Sequence, residues 1–283
     1  MKSSIYMAAA ISMMAACSKP DINAHALSDA SLNADFTITP VAGSANKFRI
    51  AVADSSYIYS KWNIDGQGAA AGRHSMELFL PDAGPYTIQH TAVGKGGTSF
   101  LSEVKTINVA TNDPSAPNLV QGGRFASAAD DAKWTRLAIG SNAVVWNMAN
   151  GKMTVSGGNG GHAAIYQAIT VEANKDYKFS MNVSGSGATD VWFEVYFGTT
   201  APVQGSDYSS GGTQMGLNTW EGCGKSAFVG NLNEIGCVGA LKDKKGVVRF
   251  ANAGTIYLVI KSGGANMGTS GISIDNVELR RVV

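Results

Sequence analysis

Short runs in which apolar and polar residues alternate, each closed by Gly, Pro, Asp or Ser, recur from Phe36 to Arg280, and this period of two constrains the fold more than any other feature. Side chains two apart on an extended chain share a face, so each run reads as a strand with one covered side and one open side. The 34 glycines, set against only 15% charged residues, suit a chain with many turns, and no long amphipathic helix is legible. An all-β protein is expected. Lys and Arg number 22 against 21 Asp and Glu, which leaves no basic field for nucleic acid and no acidic face for cationic partners.

The first residues follow a different rule. Lys2 precedes an apolar stretch from Ile5 to Ala16 that ends in Met14-Ala15-Ala16-Cys17. A bilayer-crossing helix needs about 20 apolar residues, so residues 1–16 read as a cleaved signal peptide. The small-small-Cys ending resembles the bacterial lipobox. That resemblance implies a lipid on Cys17, attachment to a membrane through it, and work outside the cytoplasm. Residues 17–26 are polar and aperiodic and read as a flexible tether. Cys223 and Cys237 remain as an even pair in an exported chain, which favours a disulfide contributing roughly 3 kcal/mol by loop entropy. A metal site there lacks nearby His or further Cys ligands.

The chain after residue 16 is long enough for two domains of about 150 residues. Residues 27–112 hold strand signals at 36–38, 48–52, 76–80, 86–88 and 104–109. Within them, Lys61-Trp62-Asn63-Ile64-Asp65-Gly66-Gln67-Gly68 followed by Gly84-Pro85-Tyr86-Thr87-Ile88 resembles the PKD domain, an immunoglobulin-like sandwich. Trp62 and Tyr86 are expected in its core, and the resemblance implies a spacer. Asp113 to Pro117 is a proline-stiffened hinge. Beyond it, residues 118–283 carry strand signals near 144–148, 152–156, 163–171, 177–183, 191–197, 247–250, 255–261 and 272–280, a number that suits a β jelly roll.

The segment Asp190-Val-Trp-Phe-Glu-Val-Tyr-Phe-Gly198 is the most informative. Val191, Phe193, Val195 and Phe197 share one face, a core. Trp192, Glu194 and Tyr196 share the other, joining two aromatics to a carboxylate that is costly to bury without partners. A sugar is a suitable partner, since its C–H face packs on a ring while its hydroxyls bind carboxylates and amides. In the competing reading these side chains cover the sandwich beneath a loop and Glu194 pairs with a Lys or Arg; we take the first. Gln167 and Asn182 are candidate polar contacts on neighbouring strands. The long segment 205–237 holds Tyr208, Trp220 and both cysteines, and a loop of that length is usually functional or mobile. Stiffened by a disulfide, it would present Trp220 and Tyr208 beside Trp192, although Trp220 could instead plug the loop's own small core. Trp146 is a third candidate aromatic, and for Trp134 a resemblance to a known family implies a place in the core.

Residues 118–125, Trp134, 150–155, 165–183 and 271–280 are similar, in order and spacing, to carbohydrate-binding modules of the family 4, 9 and 22 type, jelly rolls that hold β-glucan or xylan in a groove. Segments 192–212, 217–224 and 254–280 resemble the C-terminal part of PKD-containing surface glycan-binding lipoproteins from polysaccharide utilisation loci of Bacteroidetes. These resemblances imply an outer-membrane lipoprotein exposed at the cell surface, which captures a laminarin-like β-1,3-glucan for a partner transporter beside surface glycoside hydrolases. The family also implies a structural Ca²⁺ held by acidic residues of an Asn-Gly-Asp-Phe-Glu motif and the Asp of the last strand. Here that motif reads Gln121-Gly-Gly-Arg124-Phe-Ala126. Asp275 survives, but Arg124 and Ala126 remove the oxygen ligands a hard cation needs, and an Arg124–Asp275 pair is expected instead. Otherwise no cofactor is expected.

Catalysis is not expected. A glycosidase needs two carboxylates about 5 to 10 Å apart, and Glu194 is the only acid on the aromatic strand. The nucleophile-elbow and zinc-protease motifs are missing. The four histidines, 25, 74, 90 and 162, are scattered and are expected at the surface or in loops. The alternatives are an adhesion or structural lipoprotein that binds a protein or cell-surface ligand, and a glycan-active enzyme.

Overall fold

The computed structural model describes residues 31–141 and 143–282. The signal peptide, Cys17, the tether and His25 lie outside the described residues. Among the described residues, strands hold 52% and helix 4%, as an all-β reading requires.

The first eight strands are β1 (Phe36–Pro40), β2 (Lys47–Val52), β3 (Tyr59–Ile64), β4 (Ala70–Gly72), β5 (Ser75–Phe79), β6 (Gly84–Val93), β7 (Ser99–Leu101) and β8 (Lys105–Val109). One sheet has the order β1-β2-β5; the other has β4-β3-β6-β7, with β8 also paired to β6. Phe36, Ile50, Trp62, Tyr86 and Ile88 fill the space between them. Trp62 stands edge-on to Phe36 at 5.2 Å, and its indole N–H donates to the Arg73 carbonyl at 2.9 Å, so burying it strands no donor. One expectation needs correction. His90 is not a surface residue but fully buried, bonded to the Ala34 carbonyl at 2.7 Å and the Ser60 hydroxyl at 3.0 Å. These partners are what let an imidazole sit in an apolar core, and burial lowers its pKa.

The remaining strands are β9 (Thr135–Ile139), β10 (Val144–Ala149), β11 (Lys152–Val171), β12 (Asp176–Gly185), β13 (Thr189–Gly198), β14 (Thr213–Asn218), β15 (Phe228–Asn231), β16 (Val247–Arg249), β17 (Gly254–Asn266) and β18 (Ile272–Arg281). The strands expected at 152–156 and 163–171 are one, β11, which belongs to both sheets of the sandwich. Its first part lies between β10 and β18 in a back sheet that continues through β12 to β15 and β16. Its second part lies between β9 and β17 in a front sheet that continues through β13 to β14. The register breaks between Gly158 and Gly161. At this corner a Cβ on Gly157 would lie 2.0 Å from the Ala143 carbonyl oxygen and one on Gly158 2.0 Å from that of Ala265. Only glycine lets the chain turn there. The core between the sheets holds Phe125, Trp134, Trp146, Phe179 and Phe193.

The N-terminal sandwich packs against the C-terminal one. Arg124 reaches across to the Asp65 carboxylate at 3.4 Å and the Pro85 carbonyl at 2.5 Å, and its guanidinium lies 4.1 Å from the centroid of the Tyr86 ring. Asp275 is therefore not the partner of Arg124, contrary to expectation. Arg280, largely buried, donates to the carboxylates of Asp82 and Glu278 and to the Ala116 carbonyl within the 113–117 linker. Arg280→Ala leaves two acids and a carbonyl without their shared cation and should cost about 2–3 kcal/mol. Urea denaturation measures that loss, and faster proteolysis between residues 113 and 117 should accompany it.

Candidate functional site

The outer face of the front sheet gathers the chemistry. On β13, Val191, Phe193, Val195 and Phe197 point into the core as expected, and Trp192, Glu194 and Tyr196 point out. Glu194 does not stand free. The Tyr196 hydroxyl donates to its Oε2 at 2.5 Å and the Thr213 hydroxyl to its Oε1 at 3.1 Å. Burial, and then this contact with Glu194, pushes the Tyr196 phenol well above its ordinary range.

A strap, residues 199–212, leaves the end of β13 and crosses the face to the far edge of the sheet. There the Gly205 amide donates to the Ala138 carbonyl at 2.9 Å, while the Gln204 side chain accepts from the Ala138 amide at 3.0 Å and donates to the Arg136 carbonyl at 2.7 Å. The strap extends β9 by side-chain and backbone bonds and lays Tyr208 on Tyr196, with ring centroids 5.9 Å apart and planes at 89°. Beneath it, Leu137, Ile139, Ala164 and Val259 complete a small apolar cluster outside the main core.

Lys261 anchors this arrangement from below. Its side chain is 5% exposed, and its Nζ donates to the Asp207 carboxylate and the Tyr208 carbonyl, each at 2.8 Å. The same ammonium lies 4.9 Å from the ring centroids of both Trp192 and Tyr196. A buried ammonium is costly unless paired, and here an anion, a carbonyl and two π-faces surround it. Burial works to raise the Asp207 carboxyl, but the Lys261 contact and the Tyr208 amide outweigh it and hold it below its usual range.

One strip of the face lies beside the strap. His162, Gly263, Trp192 and Asn218 are register neighbours on β11, β17, β13 and β14. A Cβ on Gly263 would meet Trp192 Cζ2 at 2.6 Å, so glycine is what makes room for the indole there. The ring is half-buried, and His162 stands 5.8 Å from it. Two residues past Asn218, Trp220 is 57% exposed. Its backbone is held nonetheless: its amide donates to Asn218 Oδ1 at 2.9 Å, the next turn closes on the Asn218 carbonyl, and Cys223 is bonded to Cys237.

The structure thus brings Trp192, Glu194, Tyr196 and Tyr208 onto one face, with Trp220 at its margin. Tyr196 and Tyr208 are each 4% exposed and face one another, so they cover the sheet and do not offer themselves to a ligand. Three further expectations are corrected. Trp146 is in the core, its indole donating to the Ala163 carbonyl at 3.1 Å. Gln167 is also turned inward, its amide exchanging bonds with the Gln121 backbone at 2.5 and 3.0 Å. Asn182 lies on the back sheet and faces the N-terminal sandwich, with the core layer between it and Glu194 on the front sheet. Sequence reasoning missed Lys261, Asp207, His162 and Gly263. Lys261 had a signal, since it continues the alternate set of Tyr257 and Val259 at the end of an apolar run.

No family model matches the chain, and no curated protein does. Among solved structures it is similar to carbohydrate-binding modules described as belonging to the β-sandwich superfamily, at 14% identity and a TM-score of 0.32, over 87% of this chain and 97% of that one. A family 4 carbohydrate-binding module is similar at 13% identity and a TM-score of 0.36, over 58% and 99%. The enzymatically active domain of tailspike protein 4 of bacteriophage CBA120 is similar at 16% identity and a TM-score of 0.37, over 58% of this chain and 21% of that one. At such identities and scores these likenesses say nothing about ligand or activity.

Lys261→Met removes the cation from beneath the strap; Asp207, 58% exposed, is left to water and the Tyr208 carbonyl loses its donor, at a cost of about 1–2 kcal/mol. Limited proteolysis should then cut within 199–212 while the sandwich survives. Because the Asp207 carboxyl is held low in the folded state, its contribution is fully present above pH about 4 and is lost as pH falls through the lowered value. Strap cleavage in the wild type should therefore rise on acidification below that point.

Proposed function

We propose that this chain is a non-catalytic glycan-binding protein that holds a β-glucan, with a laminarin-like β-1,3-glucan favoured, on the front sheet's open strip through Trp192 and Trp220. The observation that carries the reading is Trp220. An indole left 57% exposed forgoes the gain of burial, yet its backbone is pinned by Asn218 and by the disulfide. The backbone that carries the ring needs no ordering when a sugar stacks on it, so less of the contact energy is offset. Trp192 supplies a second ring from the adjoining strand, positioned by Gly263 and Lys261. Tryptophan in such a setting is the usual bearer of binding energy.

The lipobox-like ending supports a lipid on Cys17, which would keep many copies on one outer-membrane surface. Capture by a modest-affinity site then gains from effective concentration, and glycan is passed to a transporter and surface glycoside hydrolases. The strap leaves Glu194 bonded to Tyr196 and Thr213, so this acid serves the fold and not a hydrolytic step.

Trp220→Ala and Trp192→Ala should each weaken retention by laminarin in affinity electrophoresis about tenfold or more, with circular dichroism unchanged. Trp146→Ala should instead cost about 3–5 kcal/mol of stability, as loss of a core ring does. Wild-type protein that migrates unretarded through laminarin, mixed-linkage glucan and xylan would sink the reading. Reducing-sugar release from these glucans would make it an enzyme, and protein or cell-surface binding that survives both substitutions would make it an adhesin.

A further inference from the structure

The front sheet's strip does not stop at His162. Asn218, Trp192, Gly263, His162 and Ile139 form one row across β14, β13, β17, β11 and β9, about 19 Å long at the usual spacing of about 4.8 Å between strands. At the Ile139 end the row runs into a pocket of about 230 Å³. The pocket lies where the two sheets part, between β9 at the edge of the front sheet and β10 at the edge of the back one. His162 and Ile139 belong to both the row and the pocket. The loop that joins β9 to β10 sits directly on β11, since a Cβ on Gly161 would meet Ala143 Cβ at 3.0 Å and Ser141 Oγ at 3.1 Å.

The lining is chiefly apolar: Leu137, Ile139, Val144, Val145, Trp146 and Ala164 supply most of it. Val145 is left 42% exposed, although Val144 and Trp146 on either side of it are buried. An apolar group covering such a surface gains what burial gives, whereas a bare hexose would turn hydroxyls onto side chains that cannot bond them. An anion is no better suited, because Arg136 is already paired with the Asp131 carboxylate at 2.5 Å. The polar groups stand at the rim: exposed Ser141 and Asn147, and half-buried His162. Each can donate a hydrogen bond to a carbonyl oxygen.

An apolar body with a carbonyl at its base, carried on a sugar, is an ester. We propose that the pocket takes an acyl group esterified to a hydroxyl of the bound glycan, an inference that rests on the reading of the strip as a glycan site. The strip then holds the chain, and the pocket reads what the chain carries. A glycan without esters leaves the pocket to water and forgoes that part of the binding.

The test is affinity electrophoresis of the full chain through laminarin lightly acetylated or butyrylated on its hydroxyls, and through the same batches after saponification. The acetylated polymer should retain the protein more tightly than the saponified one. Two further methylenes leaving water should make the butyrylated polymer about tenfold tighter again. Val145→Asp places a charge at the mouth and Ser141→Tyr fills it, and each should bring the acylated polymers back to the affinity of the saponified one. Both positions have room for change at the surface, circular dichroism checks each fold, and either variant suffices if the other misfolds. Trp192→Ala should weaken retention by acylated and saponified polymer alike. Equal retention of the wild type by both would overturn the acyl pocket and leave the strip's role standing. A preference for the esters that survives both mouth substitutions would overturn it too, since the acyl group would then lie elsewhere. No retention by any of these polymers would remove the strip's role and the pocket's together.

Discussion

A single strand that serves two sheets sets the layout of the C-terminal sandwich. Because β11 passes from the back sheet to the front through a run of glycines, the two sheets cannot slide relative to one another without breaking ladders on both sides of the corner. Each sheet keeps one face for the shared core and has one left over. The front sheet's spare face receives the strap and the aromatic strip; the back sheet's receives the N-terminal sandwich. Trp192 and Asn182, both expected on one surface, stand on opposite outer faces because β13 belongs to the front sheet and β12 to the back.

The face that holds the candidate site is organised around a buried charge. Lys261 gains an anion, a carbonyl and two rings, and in return it fixes the height of the strap and the setting of Trp192. An aliphatic residue there would pack as well but would hold neither Asp207 nor the strap backbone. The arrangement shows a polar group used for position more than for net stability. It also explains why the row Trp192, Glu194, Tyr196 is divided in use: the strap takes Tyr196 and Glu194 into its own bonding and leaves the indole.

Much of this was legible in the chain, and what was not has physical reasons. The alternation of Val191 to Phe197 assigned the two faces of β13 correctly, because period two is a local property. Trp62 and Tyr86, as aromatics of a small sandwich, and Trp134, through the family resemblance, were placed in cores, and their polar atoms find carbonyl partners there. β9, β14 and β15 were missed because they are short, and their strand state comes from the neighbours they pair with. Trp146 and Gln167 were misjudged for a related reason. Whether an aromatic or an amide on a strand faces in or out depends on which sheet covers it, and Gln167 is tolerated inside only because the Gln121 backbone, 46 residues away, satisfies it. His90 repeats the point. The resemblance to carbohydrate-binding modules named the layers of the fold but could not show the strap lying across one of them.

The bridge between Cys223 and Cys237 joins the turn that displays Trp220 to the point where the chain returns beside Gly216. Everything between, residues 224–236, is an excursion whose two ends are fastened together. That excursion includes β15, paired to β12, and Leu232, buried in the main core, so the bridge ties the turn that carries the indole to the back sheet as well as to the front. The setting of an exposed ring thus depends on one covalent bond and on a compartment oxidising enough to keep it.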